Sequence, residues 1–418
     1  MARGIKVIAA KPGFDHDVVV VGGGPAGLTF ATEVRRQLGV STLLAERTGY
    51  FGGTPQSTHH LGFGVRDLHR LMNGPRYAKT LEHRARVEGV ELRPCTTVLD
   101  WSPELEMDIS GDQSRYGVQA RAIVLATGVR ERSRHARLIP GDRGLGVYTT
   151  GGLQRLVYQL GIKVGTRAVV VGAEHVSFTA ISTLAHAGCQ TVALITEHNR
   201  DQTFAPLRWI YATRRRVPVY INEGIALIHG AQRVTGVTLN SGRHIACDTV
   251  IFTGDWIPES DLARVGSLEL HAGSRGPEVD SFGRTRHPGV FAIGNSVHPA
   301  EAADQCALNA RRAVRGLRDW LNNDLWSHAA LAVRVRSPLL WTWPSLVSHD
   351  DADAKMLLRV SRFVEPTVQV SVSQAGKTVW SMSRRRKIAP NRSFTLPMRW
   401  VSELDPTLGD VEITIDDG

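Results

Sequence analysis

Cysteine is scarce in this 418-residue chain and never paired: Cys95, Cys189, Cys247 and Cys306 stand alone, with no C-x-x-C among them. That excludes dithiol chemistry supplied by the chain and leaves no thiolate set for zinc or an iron–sulfur cluster, so no metal is expected. Isolated cysteines also suit a reducing compartment, and a cytoplasmic location is the expectation. A run of about 18 apolar residues is missing too, which excludes a membrane-spanning helix. The opening MARGIKVIAAKPGFDHD carries charge and a short apolar patch but no apolar core followed by a small-residue cleavage site, so no secretory leader is expected. The formal charge of +10 lacks the company that would make it a nucleic-acid footprint. Its basic residues are mostly Arg and spread along the chain, clustering only at 214–216 and 384–387, with no stacking-aromatic or recognition-helix motif beside them. No nucleic-acid partner is expected; a solvated basic surface, open to an acidic partner, is the plainer reading.

What is present is an ordinary globular composition, 42% hydrophobic and 22% charged, with length for two or three domains. Asp17–Arg47 alternates strand, glycine turn, helix and strand, the pattern of a βαβ unit, and a second such unit runs from Thr166 to His198. Further strand-and-turn segments end at Gly128, at Gly254 and in PGVFAIGN (Pro288–Asn295), the last followed by an amphipathic helix to about Leu321. Beyond about residue 330 the pattern changes to period two, in KMLLRVSRF, TVQVSVSQ, KTVWSMSRR and VEITIDD, which predicts a small antiparallel β module.

The two βαβ units differ at their turns. In the first, Gly22, Gly24 and Gly27 complete G-x-G-x-x-G between a valine run and a helix. Gly22 permits the turn, Gly24 lets a pyrophosphate approach, and Gly27 lets the helix pack on the strand. Glu46, at the end of the next strand, suits a ribose. In the second, VVVGAEHVSFTA (Val169–Ala180), Gly172 keeps the first position while Glu174 and Ser177 replace the other two. A carboxylate there repels a pyrophosphate, although Glu197 at the next strand end would still suit a ribose.

With ATG at 126–128, TG at 253–254 and PGVFAIGN, this assembly resembles the two-dinucleotide-domain flavoproteins of the pyridine nucleotide-disulfide reductase superfamily over about residues 15–325. The resemblance implies an α/β fold with two Rossmann-like βαβ domains followed by the small antiparallel β module. A discontinuous FAD domain (14–145 and 250–325) would enclose a degenerate NAD(P)-type domain (146–249), with the β module at 330–418. It implies FAD at the first site, with Gly22, Gly24, Pro25, Ala26 and Gly27 at the pyrophosphate and Glu46 and Arg47 at the adenosine end. Gly53 and Thr54 would lie beside the flavin, the Val98 backbone would meet adenine, and Thr127 and Gly128 would close over the cofactor. Gly294 and Asn295 match a Gly-Asp pair; Asn keeps an acceptor oxygen and removes a charge beside phosphate. SVHPAEAAD would open a helix whose positive end faces the flavin's pyrimidine edge.

The absent dithiol and altered second turn narrow the resemblance to FAD subunits of heteromeric amino-acid and opine dehydrogenases and to the B subunit of hydrogen cyanide synthase. It is carried by residues 127–157 and 294–311. Those proteins pair with a second flavoprotein chain, and many carry a cysteine-rich iron–sulfur segment that this chain replaces with its β module. In Phe51–Arg70, implied to lie over the isoalloxazine, His59 or His60 could take a proton as hydride leaves a C–H bond, unless they are structural. Arg66 could anchor a carboxylate or sit with Asp67 on the surface. His298 and Glu301, at the implied flavin edge, are catalytic candidates or helix caps.

The expectation is an FAD-dependent dehydrogenase or oxidase component. It would accept hydride from a small-molecule amine or amino-acid-like donor and pass electrons to a partner, a quinone or oxygen, without using NAD(P). Two alternatives stand beside it: a stand-alone NAD(P)H-dependent flavin reductase, and a non-catalytic flavin-stabilised assembly subunit that docks through its β module.

Overall fold

The valine run Val18–Val21 sits at the centre of the first sheet. In a computed structural model describing residues 13–112, 114–323, 325–326 and 330–416, strand His16–Val21 pairs in parallel with Thr42–Ala45 and with Arg115–Leu125, Val18 opposite both Thr42 and Ala122. Residues 1–12, on which much of the leader reading rests, lie outside the described residues. Glu91–Arg93 extends the sheet on one side, and Val290–Ala292 pairs with the end of the long strand. Thr97–Trp101 and Glu106–Ser110 add an antiparallel ribbon.

Alternation along the valines decides which face each serves. Val18 and Val20 pack with Leu28, Phe30 and Val34 of helix Pro25–Leu38 and with Ala310, Val314 and Leu317 of helix Ala303–Asn323. Val19 and Val21 face the other way, toward Val290, Val297 and, from far along the chain, Trp341, Trp343 and Leu357. A sheet buried on both faces explains the unbroken apolar run.

The described residues form two compact units that change over at Gln56/Ser57, His60/Leu61, Val129/Arg130 and Trp256/Ile257. The second unit is a parallel sheet in the order Val147–Thr149, Thr249–Phe252, Arg167–Val171, Gln190–Thr196, Val219–Ile221. Helix His175–His186 packs Phe178, Ile181 and Leu184 into its core, and three short antiparallel strands between Ile225 and Ala246 complete it.

The predicted C-terminal β module is present as two small sheets. One is ordered Leu346–Val347, Leu331–Val335, Val411–Asp416, Val368–Gln374, Lys377–Arg384, the other Leu339–Trp343, Lys355–Val360, Phe394–Pro397. Val368, Val370 and Val372 point inward and the residues between them outward, onto a core with Met356, Leu358, Leu396, Trp400 and Ile413. One pairing is parallel, Val333 opposite Val411, because the last strand returns beside the first. This module belongs to the first compact unit. Trp341 and Trp343, 1% and 6% exposed, bury themselves under the first sheet, each contributing about 2–3 kcal/mol of apolar transfer.

Candidate functional site

The first turn is crowded where it must be and clear where a ligand would come. A Cβ on Gly22 (φ +110) would lie 2.4 Å from the Ala126 carbonyl oxygen, and one on Gly27 would lie 2.0 Å from that of Gly22, so both positions require glycine. A Cβ on Gly24 would meet nothing within 4 Å. Gly24 caps helix Pro25–Leu38 without a side-chain hydrogen bond, and the first turn holds no acidic residue. Uncapped N–H groups beside clear space, with Pro25 and Ala26 opening the helix, suit an anion such as a pyrophosphate. The Gly52 N–H donates to the Gly23 carbonyl at 2.7 Å and Gly53 packs against Gly24, fastening this segment over the turn; Thr54 is exposed beside it.

Glu46 is nearly buried at the strand end. One carboxylate oxygen accepts from the Gly23 N–H at 2.7 Å, the other from the Thr48 N–H and hydroxyl at 2.8 and 2.9 Å. The oxygen that accepts from Gly23 retains a second lone pair for a ribose hydroxyl. Arg47 is exposed next to it. The Thr96 N–H donates to the Glu46 carbonyl at 2.8 Å, so the backbone of 95–96 runs alongside the acid, while Val98 is a buried core residue opposite Ile109. Thr127 donates to the Glu259 carbonyl at 2.7 Å, and Gly128 (φ +73) has open space above it. The residues of this turn therefore fit an adenine dinucleotide.

The loop after Gly294 is closed by its own side chain. A Cβ on Gly294 would sit 2.6 Å from that of Ala26, which brings the loop onto the first turn of helix Pro25–Leu38. Asn295 donates from Nδ2 to the Glu301 carbonyl and accepts on Oδ1 from the Glu301 N–H, both at 3.0 Å. An aspartate could not make the first bond, which gives the departure at this position a structural reason. His298 is fully buried. Gln305 Nε2 donates to Asn309 Oδ1 at 2.9 Å, and Asn309 Nδ2 to His298 Nε2 at 2.8 Å. That network assigns the ring proton to Nδ1, which finds no partner among the described residues. Burial holds this imidazole down to about 4, so it stays neutral at pH 7. Glu301 goes the other way: burial pushes its carboxyl up, opposed by a hydrogen bond from Ser393 and by the charges of Arg359 and Arg66, and assisted by Asp304.

The structure groups His59 and His60 with the second unit and His298 with the first. His59 stacks on Tyr158, centroids 4.1 Å apart and planes 7° from parallel, and burial and His186 lower its basicity. His60 is half-buried. Asp67 is buried and accepts from Tyr77 Oη at 2.7 Å, while the Arg66 side chain is exposed.

The second turn is filled from within. Glu174 caps helix His175–His186 in a reciprocal arrangement with Ser177. Its N–H donates to Ser177 Oγ at 3.2 Å, and its carboxylate accepts from Ser177 Oγ at 2.5 Å and Thr253 Oγ1 at 3.0 Å. The carboxylate wedges between the two strand ends: a Cβ on Gly254 would lie 2.0 Å from Glu174 Oε1, and one on Gly172 2.7 Å from Oε2. Arg137 donates to the carbonyls of Thr253 and Gly254, both at 2.9 Å, and lies over the Phe252 ring. The anion of this helix N-terminus is thus the chain's own carboxylate. Thr253, Arg137, Asn309, Arg359 and Ser393 were not singled out from sequence. Thr253 carried a signal, in the TG pair, and Arg137 and Asn309 lie in the segments that carry the resemblance; Arg359 and Ser393 carried none nearby.

The profile of the pyridine nucleotide-disulphide oxidoreductase family matches residues 16–314, so the β module lies outside it. A ferredoxin–NADP reductase of Ignicoccus hospitalis is 28% identical over 291 residues, 67% of this chain and 90% of that protein. An opine oxidase subunit from Agrobacterium tumefaciens is 25% identical over 333 residues, 69% of this chain, which spans 63% of that protein. Among solved structures, T. acidophilum thioredoxin reductase superposes with a TM-score of 0.60 at 21% identity, covering 72% of this chain and 97% of its own, a likeness of fold. No described helix is long and apolar enough to cross a membrane.

Proposed function

The chain belongs to the pyridine nucleotide-disulphide oxidoreductase family and is an FAD-dependent oxidoreductase, and on that premise we propose that it takes hydride from a small organic donor rather than from NAD(P)H. The observation that carries this reading is the Glu174 carboxylate, hydrogen-bonded into the one place of the second turn where a nicotinamide dinucleotide would set its pyrophosphate. FAD would be held in the first unit by Gly22, Gly24, Pro25, Ala26 and Gly27 at the pyrophosphate. Glu46 and Arg47 would hold the adenosine end beside the 95–98 backbone, with Gly53, Thr54, Thr127, Gly128 and Gly294 around the remainder. Bound there, FAD supplies a two-electron acceptor. The donor class is an amine or amino acid, with His59 or His60 as acceptor of the donor's proton. The likeness to the opine oxidase protein supports this class, and, that protein being a subunit, it supports a second chain as partner, which we take to be a flavoprotein.

The likeness to ferredoxin–NADP reductase favours a second reading, in which NAD(P)H reduces the flavin. Anaerobic mixing separates the two. The FAD-loaded protein is combined in turn with NADH, NADPH and a panel of amines and amino acids while the flavin absorption band is followed. Bleaching by a donor and not by either nucleotide is expected. Rapid stoichiometric bleaching by NADH or NADPH would establish the second reading instead.

A further inference from the structure

The loop that follows Gly294 is held from two sides, and one of them is the C-terminal β module. From within, Asn295 brackets the backbone of Glu301 at 3.0 Å on both its N–H and its carbonyl. Between these ends Ala300 is left-handed (φ 69), a conformation disfavoured for a residue with a Cβ, so something must hold it. From the module, Arg359 on strand Lys355–Val360 donates Nη1 to the carbonyls of Pro299 at 3.1 Å and Ala300 at 3.4 Å, while its Nε donates to Pro390 at 2.7 Å. Ser393, three residues after Pro390, lies beside the Glu301 carboxyl and favours its ionised form. Trp343 meets the buried His298 ring edge-on, 5.4 Å between centroids. Arg359 thus fastens the middle of a seven-residue loop, with Trp343 packed against it and Ser393 beside its end, and the loop leads directly into helix Ala303–Asn323.

We propose that the β module is a working part of the cofactor site, with Arg359 the positioning residue that holds loop 295–301 in the shape the flavin requires. This rests on FAD lying in the first unit, as read above. It replaces the picture of the module as a docking appendage with that of a clamp: the charged guanidinium satisfies two carbonyls of a strained turn, and Pro390 fixes the guanidinium in turn. Loss of the clamp would loosen the start of the long helix without touching the glycine turn.

The test uses the full chain with Arg359→Met, Arg359→Lys and Asn295→Asp. Hydrogen exchange of the 295–304 amides in the absence of FAD reads the clamp, and FAD titration by fluorescence quenching, with the absorption spectrum of the complex, reads its consequence. In Arg359→Met the loop amides are expected to exchange faster while those of strand His16–Val21 do not, FAD to bind about tenfold weaker, and the absorption maximum to move. Arg359→Lys should recover part of the affinity and carries the test, by the same exchange and titration, if Arg359→Met fails to fold; Asn295→Asp should loosen the same amides from the other side. A folded Arg359→Met with wild-type exchange, or with FAD affinity within about twofold and an identical spectrum, overturns the proposal. Failure of the wild-type chain to bind FAD overturns the cofactor reading on which it rests, and is visible before any variant is made.

Discussion

Neutralising Glu174 is the perturbation with the largest expected consequence for nucleotide use. Its carboxylate lies half-buried at the helix N-terminus, held by Ser177 and Thr253. A phosphate charge brought to about 4 Å from it would be repelled by roughly 4 kcal/mol at an effective dielectric of 20 and about 1 kcal/mol in bulk water. For a half-buried group an intermediate figure of about 2 kcal/mol is appropriate, equivalent to roughly thirtyfold in affinity. Glu174→Gln keeps the volume and the hydrogen bonds to Ser177 and Thr253 but removes the charge, so ADP-ribose and NADH should bind about thirtyfold tighter in a calorimetric titration. Glu174→Gly also clears the space beside Gly172 and Gly254 and should gain further, at the loss of only a few tenths of a kcal/mol of helix capping. The gain in the Gln variant should shrink as salt is raised, since the repulsion is screened. Affinities of wild type and Glu174→Gln within about threefold of each other would refute the electrostatic argument.

Two further outcomes follow from buried groups. Glu46→Gln removes the charge that accepts from Gly23 and Thr48, and FAD should bind ten- to a hundredfold weaker, about 1.5–3 kcal/mol, with the apoprotein still folded; unchanged quenching titrations would remove Glu46 from the cofactor site. His298 and His271 are both held down to about 4, chiefly by burial, and His271 Nδ1 accepts the N–H groups of Gly273 and Ser274. Since an unfolded histidine titrates near 6.5, folding favours the neutral rings. Their stabilisation is whole above about pH 6.5 and is lost as pH falls toward 4, up to roughly 3 kcal/mol for each. Urea midpoints should drop from pH 7 to 5, and less steeply in His298→Gln; midpoints flat over that interval would contradict the burial of both rings.

The parts legible from sequence were those written in local periodicity and in glycine. Val18–Val21 reads as the first strand of a βαβ unit because its neighbours in sequence carry the pattern, and Gly22, Gly24 and Gly27 read as a phosphate turn because each spacing has one steric purpose. The period-two strands of the module were legible for the same reason. What escaped were pairings between distant residues. The hydroxyl that draws the Glu174 carboxylate inward belongs to Thr253, 79 positions away, and Arg359 reaches a carbonyl 60 positions back at Pro299. Asn295 looked like a neutral stand-in for an acid beside phosphate, whereas its amide donates to the Glu301 carbonyl, a bond no acid makes when ionised. Composition announces none of these, because topology alone brings the partners together.

The two βαβ units therefore differ less in architecture than in what satisfies a helix N-terminus. Helix His175–His186 starts at Glu174, whose N–H donates to Ser177 Oγ and whose carboxylate, held by the Ser177 and Thr253 hydroxyls, already places a negative charge at the helix N-terminus. Helix Pro25–Leu38 starts at a glycine that offers no side chain, and its first N–H groups must find water or a ligand's oxygens. A ligand anion at the first turn replaces water and gains the full field of the helix; at the second it must first displace a carboxylate already hydrogen-bonded in place. Glu174 and Ser177 at the second turn, against Gly24 and Gly27 at the first, thus leave one helix N-terminus facing the chain's own carboxylate and the other facing open space.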